Sequence, residues 1–102
     1  MSILHINAKE FSNTINNDLV LIDFFADWCG PCKMLGPVLE QLGDSRALKI
    51  AKINVDDNQT LAQTLGIMTI PTLLLYSNGK LLAQTSGFMP QIEIEKWIDQ
   101  NK

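Results

Sequence analysis

Apolar positions along this chain switch between two periods, and the switches mark its elements. Residues 19–26 are almost continuously apolar and are interrupted only by Asp23. That predicts a strand covered on both faces. Leu35, Val38, Leu39 and Leu42 then recur at helical spacing, so a helix is expected over about residues 31–42. Pro31 suits its first turn and Gly43 its exit, while Pro37, after Gly36, predicts a kink. Upstream, Leu4 and Ile6 fit a short first strand. Asn7 with Glu10 reads as a capping box for a helix whose inward face is Ala8, Phe11 and Ile15. Asn16-Asn17-Asp18 then makes a turn.

Residues 48–55 form a third predicted strand. Asp57 or Asn58 should cap a short helix with Leu61, Ala62 and Leu65 inward, ending at Gly66. Pro71 opens a fourth strand over 72–76, and Asn78-Gly79 is a strong hairpin signal that returns a fifth over about 80–85. Pro90 starts a last helix with Ile94, Trp97 and Ile98 on its buried stripe. The resulting order, β-α-β-α-β-α-β-β-α, implies parallel pairing of the first three strands through right-handed crossovers and an antiparallel hairpin at the end. The expected fold class is α/β, a mixed sheet with helices on both faces. No repeat or linker divides the chain, so residues 1–102 are expected to form one domain.

Composition narrows the function. At 46% hydrophobic and 19% charged, the chain can bury a core. A net charge of −3 without a basic cluster argues against nucleic acid as the main partner. The longest apolar run is too short for a membrane span and contains Asp23. Met1-Ser2-Ile3-Leu4-His5 shows neither a basic nor a long apolar leader segment, so a cytoplasmic location is expected, where structural disulfides are rare.

The chain has two cysteines, Cys29 and Cys32, placed where the buried strand hands over to the helix. A thiol at a helix N-terminus meets unpaired N–H groups and the positive end of the dipole, which favour the thiolate. Cys29, ahead of the helix, is expected to be the exposed nucleophile. Cys32, one turn in, is placed to resolve a mixed disulfide. Two inert core thiols are the plainer alternative. Zinc is another, but a structural site needs four ligands and only the distant His5 is available besides the pair; a metal shared between two chains stays open. Asp23, a carboxylate in a buried strand, is either a hydrogen-bonded structural group or the proton acceptor for Cys32. Trp28, beside the nucleophile, and the apolar Met68 and Phe88 are either core or contact surface.

Trp28-Cys29-Gly30-Pro31-Cys32-Lys33, with Asp23-Phe24, Pro37, Asp56, Ile70-Pro71-Thr72, Asn78-Gly79 and Gly87 in order around it, resembles the thioredoxin family over essentially the whole chain. The resemblance implies a thioredoxin fold: a five-stranded sheet of order 1-3-2-4-5 flanked by four helices. It implies a monomeric cytoplasmic protein-disulfide reductase. Cys29 and Cys32 would be the redox disulfide, and Asp23 and Lys52 catalytic partners. Trp28, Gly30, Pro31, Thr69, Ile70, cis Pro71 and Gly87 would bind disulfide-containing client proteins. Re-reduction would come from a thioredoxin reductase carrying FAD and drawing on NADPH. Neither cofactor is expected on this chain, which has no G-x-G-x-x-G, and no metal is expected. No histidine stands between the cysteines, which points to a reductant. Three residues depart from the family pattern: Phe25 replaces a usual tryptophan, Thr69 a usual glycine or serine, and Phe88 a usual small residue. A thioredoxin-fold interaction protein acting without redox turnover is the alternative function.

Overall fold

The computed structural model describes residues 3–102. Among them the elements are β1 (Leu4–His5), α1 (Ala8–Ile15), β2 (Val20–Phe25), α2 (Gly30–Ser45), β3 (Lys49–Asn54), α3 (Gln59–Thr64), β4 (Thr72–Ser77), β5 (Lys80–Ser86) and α4 (Gln91–Asn101). The five strands form one sheet of order β1-β3-β2-β4-β5. β3 runs parallel to β1 and β2, whereas β4 is antiparallel to β2 and β5, as the connection pattern predicts.

β2 is central and reads as the sequence suggested. Alternate side chains enter opposite layers of core. Leu21, with Ile50, Leu73 and Leu75, meets Leu35, Leu39 and Leu42 of α2 and Ile94 and Ile98 of α4. Val20, Ile22 and Phe24, with Ala51, Ile53, Leu74 and Tyr76, meet Phe11 of α1 and the half-buried Leu61 and Leu65. The sheet is therefore sandwiched, which explains why β2 carries so few polar residues.

The capping box of α1 is present. Asn7 Oδ1 accepts the Glu10 N–H at 3.2 Å, and Glu10 Oε1 accepts the Asn7 N–H at 3.0 Å. Asn7→Ala is expected to lower stability by about 1 kcal/mol, read as a reduced urea midpoint at unchanged m-value. The inward face of α1 differs from expectation. Ala8 is exposed, and Phe11 and Thr14 are the buried pair. Thr14 tolerates burial because its hydroxyl donates to the Glu10 carbonyl at 2.8 Å. Ile6 falls just past β1, although its N–H continues the ladder to the Lys52 carbonyl at 3.0 Å.

Two helix ends also differ. Gly43 does not terminate α2; it is buried within the helix, which runs on to Ser45. The reason is tertiary. The Arg46 N–H donates to the Leu42 carbonyl, and its guanidinium reaches Asp99 at 2.9 Å and Glu95 at 4.0 Å on α4. Pro37 lies inside this helix without ending it. Asn58, not Asp57, stands before α3, but its side chain makes no cap. It is used across the fold instead: Oδ1 accepts the Ala8 N–H at 2.9 Å and Nδ2 donates to the Asn54 carbonyl at 2.9 Å.

The β4–β5 hairpin turns at Asn78-Gly79, both at positive φ (50° and 83°), as a two-residue turn matching the strand twist requires. The turn is anchored to the α1–β2 connection. The Asn78 N–H donates to the Asn17 carbonyl at 2.7 Å, the Gly79 N–H to the Ile15 carbonyl at 2.9 Å, and the Ser77 hydroxyl to the Asp18 carbonyl at 2.6 Å.

Candidate functional site

β2 delivers the chain through Ala26-Asp27-Trp28 to Cys29, which is the N-cap of α2 in extended backbone (φ −87°, ψ 113°). Its sulfur takes the place that a serine or aspartate oxygen usually fills, accepting the Cys32 N–H at 3.2 Å. Cys29 and Cys32 form a disulfide bond, with Cα atoms 5.2 Å apart. In the dithiol state the same N–H and the helix dipole favour the Cys29 thiolate. The expectation that Cys29 is the exposed member fails. It is 4% exposed and Cys32 3%, because Ala26, Phe25, Val55 and Ile70 close around the pair. Direction, not exposure, separates the two: Cys29 Sγ lies 3.8 Å from the Ile70 carbonyl oxygen, on the side of an open groove.

Asp23 lies in register with Lys52 across β2 and β3, wholly buried, and neither carboxylate oxygen has a hydrogen-bond partner. Alternation puts its side chain on the Leu21 face, under α2, the helix in whose first turn Cys32 lies. Burial pushes its pKa from 3.8 up to about 7, opposed by the Lys52 ammonium. Lys52 Nζ is 4.0 Å from Asp23 Oδ2, a charge neighbour rather than a hydrogen-bond donor. The ammonium also sits 4.6 Å from the centre of the Phe25 ring, and His5 meets that ring edge-on at 6.1 Å. Phe25 thus gives Lys52 a π face, as the usual tryptophan would, but without an indole N–H. Lys52, Phe25 and His5 line a cavity of about 470 Å³, together with Glu10, Asp27 and Asn54. Lys52 therefore touches both the buried carboxylate and open space, an arrangement that strand spacing could not reveal.

The groove beside Cys29 measures about 410 Å³ and is lined by Trp28, Val55, Ile67, Met68, Thr69 and Ile70. Trp28 is 70% exposed, yet its Nε1–H donates to Asp56 Oδ2 at 2.9 Å, which holds the indole upright as a wall. Ile70-Pro71 is cis, as the resemblance implied. The Pro71 carbonyl accepts the Gly87 N–H at 2.8 Å, so Gly87, at φ +91°, is tied to the same loop. Gly30 and Pro31 are exposed at the start of α2. Trp28, Thr69 and Ile70 thus lie together on the groove, with Pro71 and Gly87 joined at its edge. Val55 and Ile67 are additions: nothing in the sequence marks either, and only the loop geometry turns them toward the groove. Asp56 as the anchor of Trp28 is likewise visible only in the structure.

A mixed sheet carrying a two-cysteine disulfide at the N-terminus of a helix, with a buried carboxylate behind it and an apolar groove before it, defines a thiol–disulfide oxidoreductase. The family model Thioredoxin matches residues 2–100. The chain is 45% identical to the thioredoxin of Haemophilus influenzae over 97% of its length and 96% of that protein. It is 41% identical to the thioredoxin of Bacillus subtilis over 99% of both chains. The solved structure of a mutant thioredoxin from Halobacterium salinarum superposes with a TM-score of 0.92 at 37% identity, covering 98% of this chain and 90% of that one. The chain belongs to the thioredoxin family, and its activity is that of a protein-disulfide reductase.

Proposed function

We propose that this chain is a general protein-disulfide reductant in which Cys29 attacks and Cys32 resolves. The Cys29 thiolate displaces one sulfur of a client disulfide, forming a mixed disulfide and releasing the other client sulfur as a thiolate that takes a proton from water. Cys32, losing its proton to the Asp23 carboxylate, then attacks Cys29 Sγ and releases the second client sulfur as a thiolate, which also takes a proton from water. The client gains two electrons and the chain is left with the Cys29–Cys32 disulfide. Lys52 tunes Asp23 so that its pKa, about 7, sits where a proton acceptor is most effective. Trp28, Gly30, Pro31, Thr69, Ile70, Pro71 and Gly87 form the surface that receives the client. The observation that carries this reading is the sulfur of Cys29 at the α2 N-cap, bonded to the Cys32 N–H and lying 3.8 Å from the carbonyl of Ile70, a residue that lines the groove.

The redox couple is made by the chain's own cysteines, so one domain spanning residues 1–102 needs no bound cofactor or metal. A thioredoxin reductase carrying FAD would restore the dithiol with electrons from NADPH. Both cysteines are used for exchange and none is left for a structural disulfide, which suits a monomer acting in the reducing cytoplasm. The test is reduction of insulin disulfides with dithiothreitol as electron donor. The native protein is expected to accelerate insulin precipitation strongly, and protein whose dithiol has been blocked with iodoacetamide is not. Equal rates with and without native protein would overturn the reading in favour of an interaction protein.

A further inference from the structure

Met68 is the least expected residue of the groove. It is 91% exposed, although an apolar side chain that makes so little contact with its own chain leaves its hydrophobic surface unused. It stands at the groove rim with Trp28, Val55, Ile67, Thr69 and Ile70, none of which carries a charge. Asp56, which directly follows Val55, is held against the Trp28 indole at the groove's margin. The groove therefore offers apolar walls, no counter-ion for an acidic side chain, and a negative margin.

We infer that Met68 selects the client. It covers a large aliphatic or aromatic side chain placed next to the cysteine under attack, and the groove turns away an acidic one. The inference rests on the thiol–disulfide reading. The client sulfur must reach Cys29 Sγ, which lies beside the Ile70 carbonyl, so the residues flanking that sulfur pass over Ile70 into the groove. A charged side chain entering there would lose hydration without gaining a partner. Leucine or phenylalanine would instead bury surface against Trp28 and Met68. The unbranched thioether can re-pack around different apolar shapes, so the selection is for a class of side chain rather than one residue.

The test uses three symmetric disulfide dimers of short peptides in which the cysteine is flanked on both sides by leucine, asparagine or glutamate. Each is mixed with pre-reduced protein, quenched in acid, and scored for free peptide thiol to give a second-order rate constant. Native protein is expected to reduce the leucine dimer about tenfold faster than the asparagine dimer, a difference of about 1.4 kcal/mol. The glutamate dimer is expected to be slowest. In Met68→Ser the leucine-to-asparagine ratio should fall toward one, and in Met68→Leu it should be kept. Because Met68 is exposed, neither change disturbs the core. Equal rates for the three dimers with native protein, or an unchanged ratio in Met68→Ser, would overturn the inference while leaving the exchange chemistry standing. Failure of native protein to reduce any dimer faster than Cys29→Ser would overturn both.

Discussion

Cys29→Ser and Cys32→Ser should both fall to the rate of dithiothreitol alone in the insulin assay, but only the second should accumulate a covalent adduct with its client. In Cys32→Ser the sulfur of Cys29 keeps its place at the α2 N-cap. The N–H it accepts belongs to the backbone of residue 32, and the groove beside the Ile70 carbonyl is untouched. The first exchange therefore proceeds. What is lost is the second sulfur, within reach of the first through one helical turn, that would expel the client. A stable mixed disulfide of one client per chain should appear on a non-reducing gel and dissolve on adding thiol. In Cys29→Ser the remaining thiol lies one turn into α2, without the place beside the Ile70 carbonyl that Cys29 Sγ holds, and should form no adduct. Native-like turnover in Cys32→Ser, or adducts in Cys29→Ser, would reverse the assignment of roles.

The second large effect is on stability. The folded chain holds the Asp23 proton up to about pH 7, whereas the unfolded chain releases it near 3.8. Between these values the native state binds more protons than the unfolded state, so the unfolding free energy falls as pH rises and levels off above about pH 7. At about 1.4 kcal/mol per pKa unit, the buried charge destabilises the protein above that pH by on the order of 4 kcal/mol. Asp23→Asn removes the charge at nearly constant shape. Its amide is left without partners, which returns part of the gain. A net stabilisation of about 2–4 kcal/mol at about pH 8, falling by about 4 kcal/mol as the pH is lowered so that it is lost or reversed near pH 4, is expected from urea unfolding of the oxidised protein. Lys52 keeps the Phe25 ring and the cavity after the change. The same variant should lower kcat more than it raises KM, and the rise of native turnover through about pH 7 should disappear. A stability difference independent of pH would remove Asp23 as the titrating group, and an unchanged rate across the pH range would remove it from the mechanism. Retention of a group that costs this much stability is expected where the group serves the chemistry.

Most of the architecture was legible because local signals and tertiary demands agree. The uniform apolarity of β2, the Asn7–Glu10 box and the positive-φ pair Asn78-Gly79 each allow one structure and receive it. Where they conflict, long-range contacts win. Gly43 would end an isolated helix, but Arg46 is tied to α4 and holds the last turn. Asn58 has the right residue type for a cap, yet its amide is spent on Ala8 and Asn54. The site divides in the same way. The cysteine pair and Asp23 announce themselves by type and spacing. The burial of Cys29, the groove roles of Val55 and Ile67, the Asp56 anchor of Trp28 and the cavity behind Lys52 arise only when loops distant in sequence meet.

The clamp between the Asn78-Gly79 turn and the α1–β2 connection has a practical consequence. An exposed two-residue turn is ordinarily where a fold accepts an inserted tag or new chain termini. Here the amides of Asn78 and Gly79 and the hydroxyl of Ser77 hold the segment over which the chain enters its central strand. Cutting or lengthening that turn would release the entrance to β2 as well as the hairpin. Insertions and circular permutants of this chain belong elsewhere on its surface.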